Sequence, residues 1–224
     1  MENDFGLIRS FVKRFGRLSA RQKRGLEAMS KWQFSGKDDD FLSISKPLVM
    51  EIGFGMGADF LKRVSQYPEI NFIGIEVYPP CVGSALSELE ENPLMNCKII
   101  QEDANLVMQD LPDQVLDALL LYFPDPWPKK KHHKRRLACQ DTFINQLKRI
   151  LKKDGFFHYR TDWVPYHEDI MLKMSEHQGI AGEQFLLPGR EMTKYQQRGE
   201  RLDHEMNEGV FRFHPSNEQG DPSE

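Results

Sequence analysis

Short, continuous apolar runs recur along this chain, each followed by a longer stretch in which apolar residues return at helical spacing. Leu48-Val-Met-Glu-Ile52 predicts a first strand and Ala58–Gln66 the helix after it. Asn71-Phe-Ile-Gly-Ile-Glu76 predicts the second strand and Pro79–Glu91 the second helix, with Pro80 in its first turn. Cys97-Lys-Ile-Ile-Gln101 is a third strand, and residues 105–111 a short helix. Residues 115–123 make a fully apolar fourth strand. Residues 140–151 then carry Phe143, Ile144, Leu147, Ile150 and Leu151 on one helical face. Residues 156–161 are the fifth strand and 166–178 the next helix, and Val210-Phe-Arg-Phe-His214 alternates as a last strand. Uninterrupted apolar strands suit a sheet covered on both faces. Strict strand–helix alternation makes that sheet parallel and doubly wound, so the fold class is α/β, Rossmann-like.

The ends read differently. Residues 1–40 are expected to form a basic N-terminal arm, 41–215 the main domain and 216–224 a flexible tail. Ser19 followed by Gln22 predicts a capped short helix through Ala28. Ser35-Gly-Lys-Asp-Asp-Asp40 reads as an exposed linker. The arm suits either docking on the domain with solvated cations or contact with a nucleic-acid backbone.

Composition adds limits. The formal charge is −4 and hydrophobic residues make up 39%, so any binding of a polyanion has to be local rather than a property of the whole surface. No apolar run is long enough to span a bilayer and none resembles a signal segment. Three scattered cysteines, Cys81, Cys97 and Cys139, form no CxxC pair and suggest a reducing cytoplasm.

The densest chemistry lies at 119–137. An apolar strand stops at Pro124, a carboxylate (Asp125) stands between two prolines, Trp127 follows, and then a run of cations reaches Arg136. Proline fixes φ and removes a donor, so Asp125 sits on a stiff loop. It lies at the carboxyl end of a strand, where ligands bind in such sheets. The cation run is a footprint for phosphate; a charge run by itself is more often a solvated helix start, and the buried strand, caged Asp125 and Trp127 beside it turn the reading toward phosphate. Glu51-Ile-Gly-Phe-Gly-Met-Gly57 is a glycine-rich strand-to-helix turn. Its glycines allow a sharp bend and close approach of a ligand to the backbone. Glu76, ending the second strand, suits the hydroxyls of a ribose. Asp103 suits an exocyclic amine such as that of adenine, or the cap of the next helix. Adjacent His132 and His133 point apart and lack a third ligand, so no metal is expected.

Together, Glu51-Ile-Gly-Phe-Gly-Met-Gly57, Gly74-Ile-Glu76, Asp103-Ala104, Phe123-Pro-Asp-Pro-Trp127 with its basic run, Thr161-Asp-Trp163 and Thr193-Lys-Tyr-Gln-Gln-Arg-Gly199 resemble the bacterial tRNA (guanine-N7-)-methyltransferase family. Ile8-Arg-Ser-Phe-Val12 resembles its entry segment, and the likeness runs to about Phe213. It implies a class I S-adenosylmethionine-dependent fold with a mostly parallel seven-stranded sheet. The activity it implies is methylation of N7 of a guanine in the tRNA variable loop, by a monomer or homodimer in the cytoplasm. Carried over by position, Glu51, Gly53, Gly55, Gly57, Glu76, Asp103, Ala104 and Asp125 hold or flank S-adenosylmethionine, and Asp125 is the catalytic candidate. Lys129, Lys131, His132, His133, Lys134, Arg135, Arg136, Asp162, Thr193, Lys194, Tyr195 and Gln196 contact the tRNA substrate. Trp127 or Tyr195 would stack on the guanine unless packed beneath the loop; Trp163 suits packing.

The likeness departs at Gln196, where the family carries an acid, and at Asp203 and Asn207-Glu-Gly209. These departures leave two alternatives: a methyltransferase of the same fold acting on another RNA or a small molecule, and an RNA-binding protein that has lost catalysis.

Overall fold

A computed structural model describes residues 8–12, 16–36, 39–42, 45–182 and 207–213. The apolar runs form one sheet. Its strands are β1 (Leu48–Ile52), β2 (Asn71–Ile75), β3 (Cys97–Ile100), β4 (Leu116–Tyr122), β5 (Leu151–Thr161), β6 (Ile180–Ala181) and β7 (Asn207–Arg212). The order is β3-β2-β1-β4-β5-β7-β6. The first five pair in parallel, whereas β7 runs antiparallel between β5 and β6.

Every residue of β1 and of β2 is buried, because helices cover both faces. Successive side chains point opposite ways along a strand. Val49, Phe72 and Leu120 therefore meet Phe60, Val64, Val82 and Leu86 of α3 (Ala58–Gln66) and α4 (Pro79–Glu91). Met50, Ile73, Leu119 and Phe157 meet Met108 of α5 (Ala104–Asp110), Phe143 and Leu147 of α6 (Asp141–Ile150), and Ile170 and Met174 of α7 (Val164–Glu176). The winding reverses between β1 and β4, which opens a crevice at their carboxyl ends. The glycine turn follows one of these strands and the Pro-Asp-Pro loop the other.

Before the sheet, α1 (Ala20–Glu27) is closed by the expected capping box between Ser19 and Gln22, and α2 (Met29–Trp32) follows. α1 lies on α4 at glycine distance: a Cβ on Gly25 would stand 2.2 Å from the Gly83 carbonyl. Arg21 pairs with Glu88 and Glu91 at 2.9 Å, half-exposed contacts that add little. Gln33 then pairs in parallel with Ile99 and covers the edge of β3.

Three expectations need correction. The fifth strand starts at Leu151 rather than 156. Leu151 pairs with Leu116 and Phe156 with Ala118, so the polar Lys152–Gly155 stretch is a bulge within a continuing ladder. The two-residue β6 was not foreseen, being too short for any period to show. The stretch read as an exposed linker holds a buried Asp39, whose carboxylate accepts from the Ser35 backbone N–H at 2.7 Å, the Ser35 hydroxyl and the Phe41 N–H.

Candidate active site

The ladder continues one residue past three strands. Gly53 N–H donates to the Ile75 carbonyl at 2.7 Å, Glu76 N–H to Ile100 at 3.0 Å and Phe123 N–H to Arg160 at 2.8 Å. The loops carrying Gly53, Glu76, Asp103, Asp125 and Asp162 therefore leave the sheet along one edge.

Gly53, Gly55 and Gly57 all have positive φ (78°, 59° and 88°), which glycine alone adopts without strain. A Cβ on Gly53 or Gly55 would meet nothing within 4 Å, so both border open space. Gly57 differs: a Cβ there would stand 2.7 Å from the Ala85 Cβ, so it sets the approach of the α3 start to α4. Glu76 ties the turn down, accepting from Gly55 N–H at 3.0 Å, Val77 N–H at 2.7 Å and Tyr78 N–H at 3.0 Å. Burial pushes its carboxyl pKa up, the three N–H donors work against that, and the nearby Asp125 charge adds to the rise.

Asp103 takes the capping role with one of its two oxygens. Oδ1 caps α5 by accepting from Asn105 N–H at 3.0 Å. Oδ2 is buried and has no hydrogen-bond partner among the described residues. Burial raises this carboxyl as well; the Asn105 bond and Arg9 offset part of the rise and Glu102 adds to it. Ala104 is buried directly behind the cap.

Glu51 does not face the crevice as an unpaired acid. It is 4% exposed and bonded to Arg63 of α3 at 2.9 Å. Burial raises its pKa and Arg63 pulls it back. The polar row continues across the sheet. Arg63 lies 5.5 Å over the Tyr122 ring, the Tyr122 hydroxyl meets His158 Nδ1 at 3.0 Å, and Glu208 lies 3.5 Å from His158 Nε2 and 3.3 Å from Arg160 Nε. Glu208 belongs to the segment at which the family likeness departs.

The loop after β4 is held in an unusual backbone. Phe123 and Trp127, on either side of Pro124-Asp125-Pro126, have φ of 50° and 46°, sparsely populated for bulky residues. Asp125 is exposed between them. The basic run forms a 3₁₀ turn over Lys130–Arg135, in which Lys129, Lys130, Lys131 and Lys134 are exposed and His132, His133 and Arg135 half-buried. Burial first, and the neighbouring Lys131, Arg135 and Lys129 charges next, hold the His132 imidazole below its usual range. Trp127 is neither buried packing nor an open platform. Arg135 covers its ring at 4.7 Å, His132 meets its edge, and its indole N–H donates to Ser10.

Arg136 is the clear correction. Read as an RNA contact, it is 1% exposed. Its Nε donates to the Pro126 carbonyl at 2.8 Å, and its Nη1 to the Pro165 carbonyl at 3.0 Å and to the Asp169 carboxylate. The charge run reports residue type, not the inward turn of its last member. Asp162 is exposed after β5; Trp163 beside it is 37% exposed rather than packed away. Thr193, Lys194, Tyr195 and Gln196 lie outside the described residues.

Sequence reasoning also missed Gln140. It bridges Asn105 of α5 to the entry segment, accepting from Asn105 Nδ2 at 3.0 Å and donating to the Ile8 carbonyl at 3.1 Å. Its position just before α6 was the available signal. Among the described residues no group of three or more His, Cys, Asp or Glu side chains could hold a metal ion, and no helix is long and apolar enough to cross a membrane.

A family described as putative methyltransferases matches residues 45–208. A tRNA (guanine-N(7)-)-methyltransferase of Nitrosospira multiformis is 42% identical over 216 residues, covering 92% of this chain and 94% of its own. One from Shewanella amazonensis is 40% identical over 212 residues, covering 88% of each. Among solved structures, an aminoglycoside resistance methyltransferase superposes with a TM-score of 0.55 at 15% identity, over 77% of this chain and 89% of its own. A Haemonchus contortus phosphoethanolamine N-methyltransferase in complex with S-adenosyl-L-methionine does so with a TM-score of 0.53 at 11% identity, over 86% and 52%. At such identities these two speak for the fold alone, a class I methyltransferase sheet.

Proposed function

Because the chain belongs to the tRNA (guanine-N7-)-methyltransferase family, we infer that it transfers the methyl group of S-adenosylmethionine to N7 of a guanine in tRNA, in the variable loop, in the cytoplasm. The observation that carries the reading is the crevice itself. A glycine turn bordering open space, the Glu76 carboxylate and the buried Asp103 Oδ2, unpartnered among the described residues, stand at the carboxyl ends of the first three strands, with Asp125 on the next. These residues fit an adenosyl group. Asp103 Oδ2 suits the adenine amine, Glu76 retains acceptor capacity for ribose hydroxyls, and Gly53 and Gly55 admit a ligand against the backbone.

When bound, S-adenosylmethionine supplies a methyl group already activated by its sulfonium. Guanine N7 offers a lone pair and no proton, so no residue has to act as a general base. The chain's task is alignment and charge. Methyl transfer to N7 would leave positive charge on the guanine ring. Asp125 and Asp162 accept from the guanine N1–H and amino group and favour that charge. Lys129, Lys131, Lys134 and Arg135 hold phosphates and position the RNA without reading sequence. The Thr193–Gln196 stretch adds substrate contacts.

Labelled methyl transfer to unmodified tRNA tests the activity, beside a tRNA whose variable-loop guanine is adenine. Label is expected on the first and not the second; equal label on both would show the target to be wrong. Asp125→Asn is expected to lower kcat about 10²-fold, the scale of one lost electrostatic contact to a transition state, with cofactor affinity kept. A full rate in this variant would end the assignment of Asp125.

A further inference from the structure

Resting on that reading of Asp125 and Asp162, we propose that Arg136 is a positioning residue which sets the spacing between the two carboxylates that grip guanine. The last cation of a solvated run is expected to face phosphate. This one has almost no exposed surface to offer. A buried guanidinium needs acceptors; Nε and Nη1 have them, while Nη2 is buried without one among the described residues. Its acceptors lie on the two segments that matter. Pro126, whose carbonyl takes Nε at 2.8 Å, follows Asp125 directly. Pro165, whose carbonyl takes Nη1 at 3.0 Å, stands in the first turn of α7, three residues beyond Asp162. Asp169, one turn further along α7, takes the same nitrogen, and the guanidinium plane lies 5.2 Å over the ring of buried Tyr166. The Tyr166 hydroxyl in turn accepts from the Ala138 N–H at 3.2 Å.

The backbone explains why such an anchor is needed. Trp127, immediately after the gripped carbonyl, has a φ of 46°, and Phe123 at the other end of the loop has 50°. Bulky residues hold such angles only when their surroundings over-determine them. A guanidinium is a rigid planar fork that holds two carbonyls at a fixed separation; an ammonium is a point charge that does not. The 3₁₀ turn over Lys130–Arg135 lies between the gripped carbonyl of Pro126 and the gripping side chain of Arg136. The phosphate-facing cations are thus mounted on the same clamp as Asp125.

The test uses the full-length chain and four variants: Arg136→Lys, Asp169→Asn, Asp125→Asn and the Arg136→Lys/Asp125→Asn double, each read as kcat, KM for tRNA and the salt dependence of that KM. Arg136→Lys is expected to lower kcat about 10²-fold, the cost of a small misplacement of reacting groups, with tRNA KM and its salt dependence unmoved. The double variant is expected to be no slower than Asp125→Asn, because the two residues act as one unit. Asp169→Asn alters only the half-exposed partner, and is the variant to read if Arg136→Lys does not fold. It is expected to lower kcat by a smaller factor, again at unchanged tRNA KM. A raised tRNA KM with a shallower salt dependence in Arg136→Lys would make Arg136 a phosphate contact and overturn the proposal. Additive losses in the double variant, or an unchanged kcat in Asp169→Asn, would overturn it too. If Asp125→Asn is slow and Arg136→Lys is not, the positioning role alone fails; if neither is slow, the reading of Asp125 fails first.

Discussion

Asp103 uses its two carboxylate oxygens for different things, and a single substitution separates them. Oδ1 caps α5, while Oδ2 is buried with no hydrogen-bond partner among the described residues and, on the reading proposed above, takes the adenine amine. Asparagine caps helices as well as aspartate does and carries no buried charge, so Asp103→Asn should not lower the melting temperature of the cofactor-free protein. It removes a charged acceptor, for which a hydrogen bond is worth about 1.5–3 kcal/mol. The Kd for S-adenosylmethionine, read by titration calorimetry, should therefore rise roughly ten- to a hundredfold. A fall in melting temperature with unchanged Kd would mean that the cap is the whole of its role. The cap was legible in sequence, because Asp103 stands after the third strand and directly before a helix. Arg136 was not legible. Nothing in Lys-Lys-Lys-His-His-Lys-Arg-Arg distinguishes the residue that turns inward, since the partners that admit it, Pro126, Pro165 and Asp169, lie on separate loops.

Glycine turn and strand ends together make an element with a pH signature. Glu51, Glu76 and Asp103 all have carboxyl pKa values raised first by burial. The folded state therefore holds their protons more tightly than the unfolded chain does. Without cofactor, the stability these three groups contribute should be fullest at or below the ordinary carboxylate pKa and decline as pH rises through the raised values. Cofactor affinity should run the other way, because adenine and ribose donors need ionised acceptors at Asp103 and Glu76. As pH is lowered from neutral, Kd for the cofactor should begin to rise before the ordinary carboxylate range is reached. A Kd that stays flat down to that range would contradict the placement of these two carboxylates. At this scale α3 and α4 were read from sequence with the bounds the structure has, Ala58–Gln66 and Pro79–Glu91, because apolar period, glycine and proline agree there. The start of β5 was not, because Lys152-Lys153-Asp154 lacks the apolar signal of a strand while the backbone ladder carries on past it.

For the whole molecule, a net charge of −4 has to coexist with a polyanionic substrate. Acidic residues elsewhere outweigh the cations concentrated around 129–135, so attraction should be local and strongly screened. The logarithm of tRNA affinity should fall linearly with the logarithm of salt concentration, and each alanine substitution at Lys129, Lys131 or Lys134 should flatten that slope by about one unit. An unchanged slope in all three would place the RNA on another face.

The order of the strands also bears on how the molecule is made. Because β7 enters between β5 and β6 yet comes last in chain order among the described strands, no described stretch ending before Asn207 contains the complete sheet. During translation the outer edge of β5, with Phe157 and Tyr159 along it, waits without its neighbour until the final strand has left the ribosome. An open edge of that kind invites pairing with other chains. A chain stalled short of β7 would therefore carry the crevice-forming turns of β1, β2 and β4 beside a β5 edge that still lacks its neighbour.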